Sequence, residues 1–431
     1  MGEYKMQLLQ QRRRQYFKRN NFYSPIRPSR RPLSFPENLK CVLGLLRANG
    51  GKAFFLFLIS CLLSLPLHAQ SDADPISKQI QQKLSIFMQK NNIQGAAVEL
   101  YVNGNLYEQY NGYADETKKD PVIRKTIFEI GSISKIMTSL LFAQEYDWAK
   151  MALDDPVTKY VKALPAAFNK ISLRDLATHT SGLPFDPPGN VTTSAELKDY
   201  LNHWTPAARN QWRYSNTGSS LLGMALEFST ESDYGDLYRR HILNPLQMVN
   251  GVTVPKSLTK YYAQGYDQAG KPVAHVGGGI VSSAYGIKAS VADMQKFLSA
   301  AIGLPGTPPR VFYPMRLTQS MFLKKNNNEY QGLAWQLHPI RNKTDINELR
   351  NAADHPDQIK NPVMIEEIYQ RPVYSDNLMM DKTGMTEGFS AYIAVIPARK
   401  SGIVVLANKH IPDSAMIKLA REMLFTVTNL T

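Results

Sequence analysis

Ser132-Ile133-Ser134-Lys135-Ile136-Met137-Thr138-Ser139-Leu140-Leu141, entered through Gly131, reads as a tight turn opening a helix. In a helix, positions i and i+3 share a face, so the Lys135 ammonium can reach the Ser132 hydroxyl. A serine hydroxyl is a poor nucleophile without a base in hydrogen-bond reach. A lysine whose pKa is pulled down by burial and nearby positive charge can be that base. The pattern is weak alone. Ser257-Leu258-Thr259-Lys260 fits it equally well and reads as a surface loop after Pro255. A helix-capping serine beside a solvated lysine is the ordinary alternative for Ser132 as well.

Two further segments supply what this one lacks. Tyr214-Ser215-Asn216 leads into Thr217-Gly218-Ser219-Ser220-Leu221-Leu222, a loop entering a buried helix. A tyrosine between two ammonium groups can have a lowered pKa and act as a general base. Asn216 offers a carboxamide to hold Lys135 and to donate to a substrate carbonyl. Tyr101-Val102-Asn103 matches the same outline but reads as a strand ending in a turn. Lys382-Thr383-Gly384 occurs once, just before a strand over Phe389 to Ile396. Without a side chain at Gly384, a substrate can lie along the strand edge. The N–H groups of Ser132 and Met385 are candidates for an oxyanion hole. Lys382 supplies positive potential towards Tyr214 and towards a substrate carboxylate. The three segments fall at a helix start, a loop before a helix and a strand edge, with room for a helical lobe between them.

Working outward, Ile76, Ile80, Leu84 and Phe87 recur at helical spacing. Ala97 to Val102 alternates, Asn103-Gly104 turns the chain, and Leu106 to Tyr110 returns, a strong hairpin signal. Near the other end, Phe389 to Ile396 and Ile403 to Ala407 flank a turn, and Ile417 to Leu424 reads as a closing helix. Helical stretches begin near Ser132, Ser172, Ser194, Ser219 and Ser290. The expected class is α/β (α+β): one antiparallel sheet built from both termini and flanked by helices, with a mainly helical lobe inserted. The sheet part is expected at about 70–131 and 326–431 and the lobe at about 132–325. The Asn/Asp/Pro-rich stretch Asn326 to Asn361 reads as a mobile surface excursion.

The first 69 residues differ from the rest. They hold 12 basic and 2 acidic residues and so carry most of the net charge of +14. The basic balance therefore belongs to a leader and gives no argument for nucleic-acid binding. An apolar run from Ala53 to Leu67 is short for a bilayer span of ~30 Å. It ends at Leu67-His68-Ala69, which reads as a secretory signal cleaved after Ala69. An uncleaved anchor, or a lipoprotein cut at Cys61, are the alternatives. Cys41 and Cys61 both lie in this leader, so the chain from Gln70 has no disulfide, thiol nucleophile or thiolate metal site. The eight His form no ligand-spaced cluster, so neither a metal nor any other cofactor is expected. There is no Gly-x-Ser-x-Gly elbow, which argues against an ordinary lipase or esterase. His275-Val276-Gly277-Gly278-Gly279 reads as a flexible loop at a cleft rim.

Phe128 to Lys135 resembles the nucleophile segment of class C serine β-lactamases, within the larger group of penicillin-binding proteins and D-Ala-D-Ala carboxypeptidases. Lys382 to Phe389, continuing through Ile396-Pro397 to Leu406-Ala407-Asn408-Lys409, is similar to their C-terminal strand pair. Ala284-Tyr285-Gly286-Ile287-Lys288 and Leu176 to Pro184 carry further likeness, and it covers essentially Ile76 to Leu430. The resemblance implies acylation of Ser132 by a β-lactam, hydrolysis by water activated near Tyr214 and Lys135, and Tyr285 lining the side-chain pocket. Together with the leader and the charge distribution, the expectation is a periplasmic, monomeric enzyme with a small-molecule substrate, no nucleic-acid partner and no stable membrane anchor. Asp186 stands where the family usually has Gln, and Asp413 and Met416 stand where Asn and Arg are common. Those positions help receive the substrate carboxylate, and an acidic group there would repel it. The competing expectations are a D-Ala-D-Ala carboxypeptidase, an esterase on this fold, which the intact Lys382-Thr383-Gly384 weighs against, and a β-lactam sensor without turnover.

Overall fold

The computed structural model describes residues 74–189, 191–205, 211–251, 260–351 and 361–427. The leader with Cys41 and Cys61, and the second serine-lysine pattern at Ser257 to Thr259, lie outside the described residues.

The described part of the chain begins with helix α1 (Pro75–Asn91), then the hairpin β1 (Gly95–Val102) and β2 (Asn105–Asp115). Val102 pairs with Asn105, so the loop is the two residues Asn103 and Gly104, at φ +54° and +83°. Both central residues of a type I′ turn need positive φ, which is why Asn-Gly marks this hairpin. The short strands β3 (Asp120–Pro121) and β4 (Ile127–Glu129) follow, then helix α2 (Ser134–Asp147). Next come α3 (Leu173–Thr178), α4 (Ser194–Asn202), β5 (Gln211–Trp212) and α5 (Asn216–Thr230). β6 (Gly265–Tyr266), β7 (Pro272–Val273) and β8 (Lys288–Ser290) lead into α6 (Val291–Ile302) and α7 (Pro309–Thr318). The chain then returns to the sheet with β9 (Met321–Asn326), β10 (Glu329–Gln331), β11 (Gln336–Pro339), α8 (Lys343–Asn351), β12 (Val363–Met364) and β13 (Glu367–Val373). It closes with β14 (Leu378–Met385), β15 (Ser390–Ile396), β16 (Ser401–Ala407) and α9 (Asp413–Val427).

The principal sheet has ten strands in the order β13-β9-β10-β11-β14-β15-β16-β1-β2-β3. The named pairings are antiparallel, and β16 joins β1, so the two ends of the chain meet in the middle of the sheet. Side chains alternate across a strand, and the central strands use both faces. Ala391, Ile393, Val395, Val404 and Leu406 pack into the core shared with α2, α5 and α6. Tyr392, Ala394, Ile396, Ile403 and Val405 pack on the other side, against α1 and α9. In α2 every residue from Ser134 to Glu145 is buried, which makes it the central helix of its layer.

Ser172 caps α3 and Ser290 caps α6, as their hydroxyls accept from Asp175 N and Asp293 N. Ser194 opens α4, while Ser219 lies inside α5, which starts earlier and is capped by Ser215.

The stretch from Asn326 to Asn361 is not a surface excursion over its described part. It contributes β10 and β11 to the sheet interior and α8 behind it. Its polar residues are there for internal bonding. Gln331, 1% exposed, accepts from Trp212 Nε1 at 3.0 Å and donates to the carbonyls of Gly332 and Trp335. β9 begins at Met321, and α6 packs on β1, β15 and β16, so sheet elements already occur within 132–325.

Candidate active site

A cleft of about 380 Å³ opens between the end of β14 and the helical layer, and Ser132, Tyr214, Asn216, Tyr285, Lys382, Thr383 and Met385 all line it. Ser132 sits on a single 3₁₀ turn, Gly131–Ile133, that feeds α2. The turn touches the strand edge through two glycines. Gly131 has φ +49°, and a Cβ there would stand 2.4 Å from Met385 N; a Cβ on Gly384 would stand 2.0 Å from Ile130 O. Any side chain at either place would push β14 off the turn, away from Ser132.

β14 also outruns its neighbour. β11 pairs only with Leu378 to Asp381, so Lys382 to Met385 pair with β15 on one side and face the cleft on the other. An edge of that kind can accept an added extended segment.

Lys135 is 1% exposed beneath the cleft floor. Its Nζ lies 3.0 Å from Ser132 Oγ, 2.5 Å from Asn216 Oδ1 and 2.9 Å from Ala284 O. Asn216 Nδ2 donates to Asp186 Oδ1 at 2.8 Å. A carboxylate only accepts, so this bond fixes the amide with its oxygen towards Lys135. The amide oxygen and the Ala284 carbonyl also only accept, so each takes an N–H from Lys135. A neutral amine then keeps its lone pair for Ser132. Burial, reinforced by the nearby charge of Lys382, holds the Lys135 pKa well below its ordinary value against an opposing pull from Asp186.

Tyr214 and Ser132 line the same cleft. The Lys135 and Lys382 ammonium groups lie 4.9 Å and 4.7 Å from the Tyr214 ring centroid. The expectation of a lowered phenol pKa is not met. Burial drives it above its ordinary value, Asp413 and Asp186 add to the rise, and the nearby Ser132 hydroxyl only partly opposes it. Burial likewise lowers Lys382, to about 8, against the raising effects of Asp413 and Asp381.

Behind Tyr214 lies a layer that the motifs do not announce. His179 packs on Tyr214 with ring centroids 4.4 Å apart and accepts from Ser215 N, and Lys325 lies over the Trp212 ring. The Ala284 carbonyl was equally invisible, because every residue carries one.

At the far end of the cleft the expectations divide. Asp413 lines it, close to Lys382 and Thr383. Met416 does not line it. It is 1% exposed in the core between the sheet and α9, and Ile417, one turn on from Asp413, faces the cleft instead. The loop at His275 reaches the rim through Val276. It is tied down, since His275 stacks on Phe389 and Val276 N donates to Glu129 at 2.7 Å.

The family model described as Beta-lactamase matches residues 80–428. A beta-lactamase of Psychrobacter immobilis is 31% identical over 379 residues, covering 86% of this chain and 93% of the relative. The structure of a beta-lactamase/D-alanine carboxypeptidase from Pseudomonas syringae aligns with TM-score 0.75 at 28% identity, over 81% of this chain and 99% of its own. That of a class C beta-lactamase in complex with cefoxitin aligns with TM-score 0.74 at 31% identity, over 81% of this chain and 98% of its own.

Proposed function

This chain belongs to the beta-lactamase family, as a serine hydrolase of class C, and from that premise we propose how its residues open and clear a β-lactam ring. Ser132 Oγ attacks the ring carbonyl while its proton passes to Lys135. The carbonyl oxygen collects negative charge against the N–H groups of Ser132 and Met385. The ring C–N bond breaks, and the nitrogen takes a proton from Tyr214, which Lys135 restores. Water then attacks the acyl-enzyme, Lys135 accepts its proton through Tyr214, and the ester bond to Ser132 breaks with the proton returning to Oγ. The observation that carries this reading is the Lys135 environment: two obligate acceptors and one hydroxyl around a desolvated amine. It favours Lys135 over Tyr214 as the primary base.

Lys382 and Thr383 lie at the strand edge to receive the far end of the substrate, and Tyr285 lies by Asp186 to receive its acyl side chain. Turnover of a chromogenic cephalosporin tests this. Ser132→Ala should abolish it, and turnover surviving in that variant would overturn the assignment.

The leader supports export to the periplasm, with a mature start near Gln70. Its charge, apolar run and Ala69 carry this part, and among the described residues no helix is long and apolar enough to cross a membrane. N-terminal sequencing of periplasmic material should give Gln70. A lipid-bearing start at Cys61 would contradict it.

A further inference from the structure

Asp186 brings to the cleft a charge that the reaction at Ser132 does not use. Its Oδ1 accepts from Asn216 Nδ2 at 2.8 Å. Holding that amide needs only an acceptor, and a neutral amide oxygen would serve as well. The negative charge also works against the base. It favours the charged form of Lys135, where a base must be neutral. Asp186 is exposed, so it is not there to balance a buried cation.

The neighbours of Asp186 place this charge at one end of the cleft. Phe185 and Tyr285 line the cleft with it. Burial raises the Tyr285 phenol pKa, and the Asp186 charge adds to the rise. The second acidic side chain, Asp413, acts at the other end, on Lys382 and close to Thr383. The bond to Asn216 takes one of about four acceptor positions on the Asp186 carboxylate. Phe185 is 43% exposed, with its ring centroid 5.9 Å from that of Tyr214. A carboxylate with aromatic rings beside it attracts an ammonium ion twice, through charge-assisted hydrogen bonds and through the rings.

We propose that this end of the cleft is a cation subsite, in which Asp186 with Phe185 and Tyr285 selects β-lactams whose acyl side chain carries an ammonium group. This deepens the reading of Ser132 as the nucleophile that opens a β-lactam ring, and rests on it. The ammonium group takes no part in the bond changes. It is held beside Asn216 while Ser132 attacks, and an anionic side chain is turned away by the same charge.

The test measures kcat/KM at pH 6.5 for ampicillin, benzylpenicillin and carbenicillin in the wild type, Asp186→Asn, Asp413→Asn and Ser132→Ala. At that pH an α-amine is protonated and a carboxylic acid ionised. The three acyl side chains are then cationic, neutral and anionic, on the same ring with the same ring carboxylate. Asp186→Asn keeps an oxygen acceptor for Asn216 and removes the charge. It should lower the ampicillin-to-carbenicillin ratio about tenfold, and less at high salt. Asp413→Asn should move the three penicillins together. A ratio in Asp186→Asn within about twofold of wild type overturns the inference and leaves Asp186 as the partner that orients Asn216. An equal fall in Asp413→Asn overturns it too, because the net charge of the cleft would then set the preference. In both cases, turnover that is lost in Ser132→Ala keeps the Ser132 reading intact. Turnover that survives in Ser132→Ala, or is absent from the wild type, removes that reading and the inference with it.

Discussion

Lys135 and Lys382 are both buried beside Tyr214, but their surroundings set them different tasks. Lys135 has its N–H groups committed to Asn216 and Ala284 and must be neutral to act as a base. Lys382 has Asp413 and Asp381 nearby, which favour its charged form, and in the proposed mechanism it acts as a charge. Activity should therefore rise with pH as Lys135 loses its proton, and fall as Lys382 loses its own at about 8. In kcat/KM profiles, Asp413→Asn should move the alkaline limb to lower pH, because the carboxylate that favours charged Lys382 is gone. An unmoved limb would assign it to another group. Lys135→Ala should cut kcat by about 10²-fold or more, the usual loss with a general base. Tyr214→Phe should cost about as much where leaving-group protonation limits the rate. Both variants should stay folded by circular dichroism.

At the scale of elements, the contact between β14 and the Ser132 turn depends on Gly384. Gly384→Ala should cost about 1–3 kcal/mol of stability through overpacking and lower acylation steeply. Denaturant melts and burst kinetics would measure the two effects. The β1–β2 hairpin holds a second sensitive pair. Glu99 is fully buried directly across from Glu108, and burial, with Glu108 adding to it, raises its pKa to about 9. A carboxyl raised in the folded state contributes stability that is complete below the unfolded pKa and is lost as pH climbs towards the folded one. Stability should therefore fall between about pH 4.5 and 9 by this group's contribution, and Glu99→Gln should flatten that slope in urea titrations.

These same elements show what the chain made legible. The hairpin and the β15–β16 pair announce themselves by alternation and turn chemistry, and Ser132 and Lys135 by helical spacing. The strands β10 and β11 did not, because short strands with buried, internally bonded Glu329, Gln331 and His338 look like loop. Met416 belongs to the core, not to the cleft wall expected for it. α9 begins at Asp413, so the face it shares with the cleft continues at Ile417.

For the molecule as a whole, joining the first and last long strands, β1 and β16, in one sheet makes the closing helix a condition of the site. Arg421 on α9 is fully buried and donates to Asp381 at 2.6 Å, on the strand that carries Lys382. Tyr392 and His338 complete the network at 2.5 Å and 3.3 Å from the same carboxylate. Arg421→Ala would strand a buried carboxylate and should cost about 3–5 kcal/mol, lowering Tm for sheet and site together. Asn408 and Lys409 act alike. Asn408 accepts from Gly95 N at 2.7 Å and Lys409 donates to Asn92 O at 3.0 Å, which locks the C-terminal strand to the N-terminal hairpin. All of this holds a strand edge against one serine. The most direct test of that serine's role is intact and peptide mass after brief exposure to a penicillin. The account predicts one acyl adduct, on the peptide containing Ser132 and absent in Ser132→Ala. An adduct on the Ser257 peptide, or one that persists in Ser132→Ala, would contradict it.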